Sequence, residues 1–218
     1  MKSINSFSFQ GVEGAYSEVA GKNIYPQAQS IACKTFEEMF EFVNENKSDV
    51  AIVPIENSRA GRVADTQRLI PDSNLKIIGE YFLEVNHCLL SPIGTTIDDI
   101  KRVHSHEQAI AQCRKQLIQH KKEMVVAADT AGAAKLVSEW QSKEDAAIAS
   151  NLAAKKYDLE IIKSNFQDSN NNVTRTPSPA GSTSPVNENP RIFPVFSLTL
   201  TVPKSDVAPT RVIPLIVN

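Results

Sequence analysis

The stretch from Arg102 to Ser150, RVHSHEQAIAQCRKQLIQHKKEMVVAADTAGAAKLVSEWQSKEDAAIAS, decides the fold. Short apolar runs, typical of buried strands, recur in it between longer segments whose apolar residues have helical spacing. The pattern predicts strands at 102–105, 124–127 and 146–149, and helices at about 107–120 and 131–140. Strands that alternate with helices of this length are typical of parallel, doubly wound α/β sheets.

The flanking segments extend the same pattern. Residues 49–55 form a nearly continuous apolar run, as expected for a strand buried on both faces, and positions 36, 39, 40 and 43 form one apolar helix face. Further strands are predicted at 6–10, 75–78, 88–90 and 159–163, with helices from Tyr16 and over 151–157. Extended segments near 80–90 and 160–170 join the two runs. We therefore predict two doubly wound α/β lobes around a cleft.

The composition changes abruptly near residue 175. Of the 12 prolines, 4 lie in residues 1–175 and 8 lie in residues 176–218. Because proline removes backbone donors and breaks helices, we expect an irregular C-terminal tail over 176–218. Only the stretch 193–202 alternates apolar and polar residues, which predicts a lone edge strand.

Composition and charge exclude several classes of protein. The 23 Lys and Arg residues against 25 Asp and Glu give a net charge of −2, which does not favour nucleic acid as a partner. The sequence has no apolar run of membrane-spanning length and no signal-peptide core at its start. Cys33, Cys88 and Cys113 are odd in number and lack a CxxC pair, which favours reduced thiols. We expect a cytoplasmic protein that binds neither nucleic acid nor membranes.

Four polar clusters each follow a predicted strand, at or before a helix. They are Gly11–Ser17, Glu56–Gly61, Ser105–Gln108 and Asp129–Gly132. In open α/β sheets small ligands bind at the carboxyl ends of strands, where helix N-termini attract anions. The clusters therefore predict a small ligand with more than one negative charge. Each cluster taken alone is more typical of ordinary helix N-caps than of a ligand site.

Motifs for metal or nucleophilic chemistry are weak. His104 lies on the strand predicted at 102–105, whereas His106 lies beyond its end, so the two do not form a chelating pair on one strand face. His87 has no second ligand at a zinc-like spacing, and a buried, hydrogen-bonded histidine explains it better. The sequence has no GxSxG, P-loop or GxGxxG motif. We predict no metal site.

At these same clusters the sequence resembles the prephenate dehydratase family. The resemblance covers about residues 5–175, and its most specific parts are the strings Pro-Ile-Glu-Asn-Ser at 54–58 and Thr-Ala-Gly-Ala-Ala at 130–134. It implies a fold similar to type II periplasmic binding proteins. Lobe 1 would then comprise 1–80 and 164–175, and lobe 2 would comprise 81–163.

The chain departs from the family pattern at its C-terminal end. The family's Thr-Arg-Phe motif is Thr174-Arg175-Thr176 here, and a Pro/Ser-rich segment replaces the apolar strand that normally follows. The family's phenylalanine-binding ACT domain has no counterpart in residues 176–218. The resemblance therefore implies an enzyme without phenylalanine feedback.

The resemblance also implies the reaction, which converts prephenate to phenylpyruvate by joint loss of a ring hydroxyl and a carboxylate. Aromatisation drives this reaction, so no cofactor is expected. The protein is also expected to be a homodimer. Thr174 would be catalytic, placed at the leaving hydroxyl, and Glu56 would orient the site or supply a proton. The predicted substrate-binding residues are Asn57, Ser58, Gln108, Thr130, Arg175 and Ser17.

Two alternatives stay open from the sequence. The first is an arogenate dehydratase, since arogenate differs from prephenate only by an amine in place of the keto group. The second is a non-catalytic, two-lobed anion-binding remnant that a frameshift near codon 176 has truncated. The change at Thr176 favours this second alternative.

Overall fold

The computed structural model describes residues 4–59, 61–73 and 75–169, together with the backbone of residues 195–201. These residues form two β-sheets, each covered by helices. The first sheet contains strands β1 (Ser6–Gln10), β2 (Gln29–Cys33), β3 (Val50–Asn57), β4 (Gly61–Arg62), β5 (Lys76–Leu83) and β11 (Val195–Thr201). Its helices are α1 (Tyr16–Ile24), α2 (Phe36–Asn44) and α3 (Ala64–Asp72).

The second sheet is built from the middle of the chain. Its strands are β6 (Cys88–Ser91), β7 (Arg102–Ser105), β8 (Glu123–Val126), β9 (Asp145–Ala149) and β10 (Glu160–Lys163). Its helices are α4 (Glu107–Gln112), α5 (Arg114–Gln119), α6 (Thr130–Trp140) and α7 (Asn151–Lys156). The two-sheet α/β fold class is thus confirmed.

Strand β3 shows how the first sheet forms its core. Val50 and Ile52 face one buried cluster, which includes Phe7 of β1, whereas Ala51 and Val53 face another with Met39 of α2. All four β3 residues are fully buried. Both faces of the strand are therefore covered, as its continuous apolar run predicts.

The sheets are mixed rather than wholly parallel. In the first sheet β2, β1 and β3 are parallel, and in the second β8, β7 and β9 are parallel. Strands β6 and β10 instead run antiparallel to their neighbours. Strands joined through a helix run in the same direction, as β9 and β10 do across α7, whereas β6 follows the extended segment between the sheets and runs in the opposite direction.

The lone edge strand predicted at 193–202 is in fact interior. The order of the first sheet is β2-β1-β3-β11-β5, with β11 antiparallel to both neighbours and β4 paired to β3. Alternation within a strand shows which residues face alike, but it does not specify how many neighbours the strand has. The rest of the predicted tail lies outside the described residues.

Candidate functional site

A cavity of about 200 Å³ lies between the two sheets. Its lining comes from the ends of strands and the beginnings of helices on both sides, the positions at which α/β proteins bind small ligands. The lining residues are Tyr16, Asn57, Val85, His87, His106, Gln108, Ala109, Gln112, Asp129 and Thr130.

Three of the predicted site residues meet in this cavity. Asn57 ends β3, Gln108 lies in the first turn of α4, and Thr130 begins α6. Of the other described candidates, Ser17, Glu56 and Ser58 are partly buried but do not belong to the lining. Thr174 and Arg175 lie outside the described residues.

The N-terminus of α6 gives the cavity an anion-binding edge. Asp129 caps the helix, since its carboxylate accepts a hydrogen bond of 2.6 Å from the Gly132 amide. The amides of the first helical turn and the positive end of the helix dipole remain at the edge where Thr130 contributes its hydroxyl. Such an edge suits a ligand carboxylate.

A chain of hydrogen bonds that starts at Tyr16 also lines the cavity. The Tyr16 hydroxyl lies 2.7 Å from Nδ1 of His87, whose Nε2 lies 3.1 Å from Oε1 of Gln112. His87 is almost completely buried, and this burial lowers its pKa from 6.5 to about 4. The imidazole is therefore neutral at pH 7. Burial raises the pKa of Tyr16, so its phenol is protonated.

Most of the first polar cluster, Gly11–Ser17, lies outside the cavity lining, and two of its residues connect the two sheets. The carbonyl of Gly14 accepts a hydrogen bond of 2.6 Å from the Ser150 hydroxyl, and the Glu13 carbonyl accepts one of 2.7 Å from Tyr157. Lys156 of α7 pairs with Glu13. Of this cluster, only Tyr16 lines the cavity.

The chain segment that leads toward Thr174 is fixed against the cavity wall. The Phe166 amide donates to the carbonyl of His87, and the Asp168 amide donates to the carbonyl of Gln112, both at 2.8 Å. Thr174 follows Asp168 by six positions in the sequence, a covalent reach of at most about 22 Å. Chain length therefore allows Thr174 to enter the cavity.

Asp145 and the three cysteines lie outside the cavity lining. Asp145 accepts two hydrogen bonds from Arg102 and one from His104, and the Arg102 guanidinium holds the pKa of this carboxyl well below its usual range. The three cysteines are free and buried, and burial raises the pKa of Cys33 to about 11 and that of Cys113 further. A protonated thiol is a poor nucleophile and metal ligand. Among the described residues, no group of three or more His, Cys, Asp or Glu side chains is placed to hold a metal ion.

Sequence reasoning missed Tyr16, His87 and Gln112 as cavity residues. His87 fits its predicted role as a buried, hydrogen-bonded histidine, but it also faces the cavity. A usable signal was its position directly before β6, where the chain crosses between the sheets. Gln112 carried no local signal, because its cavity role depends on a contact with a residue 25 positions away.

This fold and cavity define a two-sheet α/β protein with a polar cavity between its sheets. Residues 7–176 match the family model described as prephenate dehydratase. The chain belongs to the prephenate dehydratase family.

Two curated relatives show the extent of the similarity. The chain is 43% identical over 168 residues to a bifunctional N-acyl-homoserine lactone acylase/prephenate dehydratase of Komagataeibacter europaeus, covering 77% of this chain and 60% of that protein. It is 42% identical to arogenate dehydratase 2 of Petunia hybrida, covering 77% of this chain and 43% of that protein. The chain thus spans between about two fifths and three fifths of these relatives.

Solved structures show the same fold. The quorum-quenching acylase GqqA matches with a TM-score of 0.79 and 34% identity over 94% of this chain and 67% of that chain. The prephenate dehydratase of Arthrobacter aurescens in complex with L-Phe matches with a TM-score of 0.76 and 26% identity over 95% of this chain and 63% of that chain. None of the helices in the part of the chain that the structure describes has the length and hydropathy to cross a bilayer.

Proposed function

We propose that this protein is a prephenate dehydratase, which converts prephenate to phenylpyruvate, carbon dioxide and water. The observation that carries the proposal is the composition of the cavity lining. Asn57, Gln108 and Thr130, all predicted from the family motifs, line this one cavity, and Thr130 begins α6. The family model over 7–176 supports the same reaction. The two α/β lobes, 1–80 with 164–175 and 81–163, would enclose the substrate.

The reaction needs binding and orientation more than strong acid–base chemistry. The bond between the ring and its carboxylate breaks, its electron pair enters the ring, and the hydroxyl on the opposite ring carbon leaves with one proton as water. Thr130 and the first amides of α6 would bind one carboxylate, and the side-chain amides of Asn57 and Gln108 would donate hydrogen bonds to the other polar groups. Aromatisation supplies the driving force.

Thr174 would stabilise the departing hydroxyl. A threonine hydroxyl is a weak acid, so a strong hydrogen bond to the leaving oxygen is its physical role. Arg175 would hold a carboxylate, because a guanidinium binds one with two parallel hydrogen bonds. Glu56 as a proton source, and Ser17 and Ser58 as substrate contacts, stay predictions of the family motifs.

The test compares Thr174→Ala with Thr174→Ser. We expect the alanine variant to lose phenylpyruvate formation by about a hundredfold or more, because the hydrogen bond to the leaving oxygen is lost. The serine variant, which keeps the hydroxyl, should retain most of the activity. Phenylpyruvate absorbance measures the rate for each purified protein. Wild-type rates in Thr174→Ala would exclude Thr174 from the reaction, and an inactive parent would favour the non-catalytic remnant.

Arogenate is the second candidate substrate, because several relatives are named arogenate dehydratases. Running prephenate and arogenate side by side distinguishes the two by kcat/KM. Phenylalanine added to the same assay checks the predicted lack of feedback. We expect it to leave the rates with prephenate and with arogenate unchanged. Sedimentation of the same preparation checks the predicted homodimer.

An acylase activity is a second candidate function, which the match to the solved acylase over 94% of this chain favours. It would hydrolyse the amide of an N-acyl-homoserine lactone. Release of free homoserine lactone by the wild-type protein, measured beside prephenate turnover, is the test. No release under conditions where prephenate reacts would limit the protein to dehydration.

A further inference from the structure

Tyr16, His87 and Gln112 form a hydrogen-bonded chain that the proposed reaction does not yet use. Tyr16 comes from α1 beside the first sheet, His87 from the segment that crosses between the sheets, and Gln112 from α4 beside the second. All three line the cavity. This hydrogen-bonded chain therefore connects elements on both sides of the cavity.

The hydrogen-bond partners of His87 determine which of its ring nitrogens carries the proton. Oε1 of Gln112 only accepts hydrogen bonds, so Nε2 of His87 carries the proton and donates to it. Burial and the positive charge of Arg59 both lower the pKa of His87, to about 4, so the ring is neutral at pH 7. Nδ1 of a neutral ring protonated at Nε2 has a lone pair and accepts from the Tyr16 hydroxyl at 2.7 Å.

The Tyr16 proton is consequently held by an acceptor of the protein. The hydroxyl oxygen has two close partners, Nδ1 of His87 at 2.7 Å and the carbonyl oxygen of Asn86 at 3.2 Å. Both partners are acceptors, so the single phenol proton is used by one of them in either arrangement. The Tyr16 oxygen can offer a ligand only a lone pair.

We propose that Tyr16 accepts a hydrogen bond from the ring hydroxyl of the substrate. His87, the nearer of the two acceptors of the Tyr16 proton, is the positioning residue that keeps a Tyr16 lone pair available for this hydrogen bond. The inference rests on the proposed function. At neutral pH the two carboxylates and the keto group of prephenate are acceptors only, and its hydroxyl is its one donor. A lone pair at Tyr16 therefore repels the carboxylates and selects the hydroxyl. The α6 N-terminus has the opposite preference, so together they orient the molecule in one direction.

The test measures binding of two saturated analogues of prephenate, with and without the ring hydroxyl, neither of which can aromatise. Calorimetry on wild-type protein should give a Kd roughly threefold to tenfold lower for the hydroxylated analogue, the usual contribution of one hydrogen bond. In Tyr16→Phe the two Kd values should become equal. Tyr81→Phe is the matched control, since the Tyr81 hydroxyl accepts a hydrogen bond of 3.1 Å from the Asn23 side-chain amide and Tyr81 lies outside the cavity lining. It should keep the wild-type ratio.

Variants of His87 separate positioning from folding. His87→Asn places an amide oxygen near the position of Nδ1, so it should keep most of the preference for the hydroxylated analogue, whereas His87→Leu leaves the Tyr16 proton to the more distant Asn86 carbonyl at 3.2 Å and should weaken the preference further. Both variants should lower kcat/KM for prephenate, the leucine variant more strongly. Equal Kd values in the wild type, or a preference that persists in Tyr16→Phe, would overturn the inference and leave the proposed function standing. Failure of the wild type to bind either analogue, with no phenylpyruvate formed, would overturn the proposed function as well.

Discussion

His87 couples the candidate site to the stability of the protein through its lowered pKa. Folding lowers this pKa from about 6.5 to about 4, so between these pH values the unfolded chain binds a proton that the folded one does not. The contribution to stability is fully present above pH 6.5. It falls by up to about 1.4 kcal/mol per pH unit as the pH decreases to 4.

The corresponding experiment is urea unfolding of wild type and His87→Gln at several pH values between 4.5 and 7.5. Glutamine cannot titrate, so the difference in unfolding free energy between the two proteins should shrink as the pH falls. The other histidines titrate in both proteins and cancel in the difference. Parallel pH profiles for the two proteins would mean that folding leaves the pKa of His87 unchanged, as expected for a solvent-exposed ring.

Single residues were predictable where local position alone decides their role. Asn57, Gln108 and Thr130 each follow a predicted strand closely, and the chain direction of parallel strands brings such positions to one edge. Tyr16 and His87 meet across 71 positions of sequence. No local spacing carries that contact, so their pairing could not be read from the sequence.

At the scale of elements, the loop between β1 and α1 is fixed by a glycine that no other residue can replace without strain. Gly14 has φ of +87°, and a Cβ there would lie 2.7 Å from Cα of Ala153 in α7. Gly61 has a similar φ of +77°, but a Cβ there would meet nothing within 4 Å. Replacing either glycine would therefore strain the backbone, but only at Gly14 would the added Cβ also clash with a neighbouring helix.

Gly14→Ala should therefore destabilise the protein more than Gly61→Ala. The left-handed conformation costs about 1–2 kcal/mol at either position, and the clash with α7 adds about 2 kcal/mol at Gly14 alone. In a protein of this size the difference corresponds to roughly 4–8 °C in Tm, measured by differential scanning calorimetry. Equal Tm losses would show that the loop can move away from α7 at little cost.

Elements with strong periodicity were predicted well, and those that depend on tertiary contacts were not. The helix predicted at 107–120 is two helices, α4 and α5, because the Asp168 carboxylate accepts hydrogen bonds from the Lys115 and Gln116 amides and caps the second one. Strand β2 was missed because it lies at the sheet edge with mostly partial exposure. Helix α3 was missed because it contains Pro71 and has few apolar residues.

At the scale of the whole molecule, the first sheet depends on a strand from the far end of the chain. β11 separates β3 from β5, and its first residue, Val195, pairs with the cavity residue Asn57. Sequence patterns give no strand order, so this insertion could not be predicted from alternation alone. The frameshift origin of the tail stays a prediction, which translation of the gene in the other two frames would check.

The interior position of β11 predicts a large effect of proline within it. Leu198 pairs with Val53 of β3 on one side and Glu80 of β5 on the other, so Leu198→Pro removes a ladder hydrogen bond inside the sheet and should cost about 3 kcal/mol or more. Leu198→Ile, which keeps the backbone amide and a strand-forming side chain, is the control and should retain most of the wild-type Tm. Because β3 ends at Asn57, prephenate turnover should fall together with stability in Leu198→Pro only. A Leu198→Pro protein that melts and turns over like the wild type would show that β3 and β5 hold the first sheet and its half of the cavity without β11.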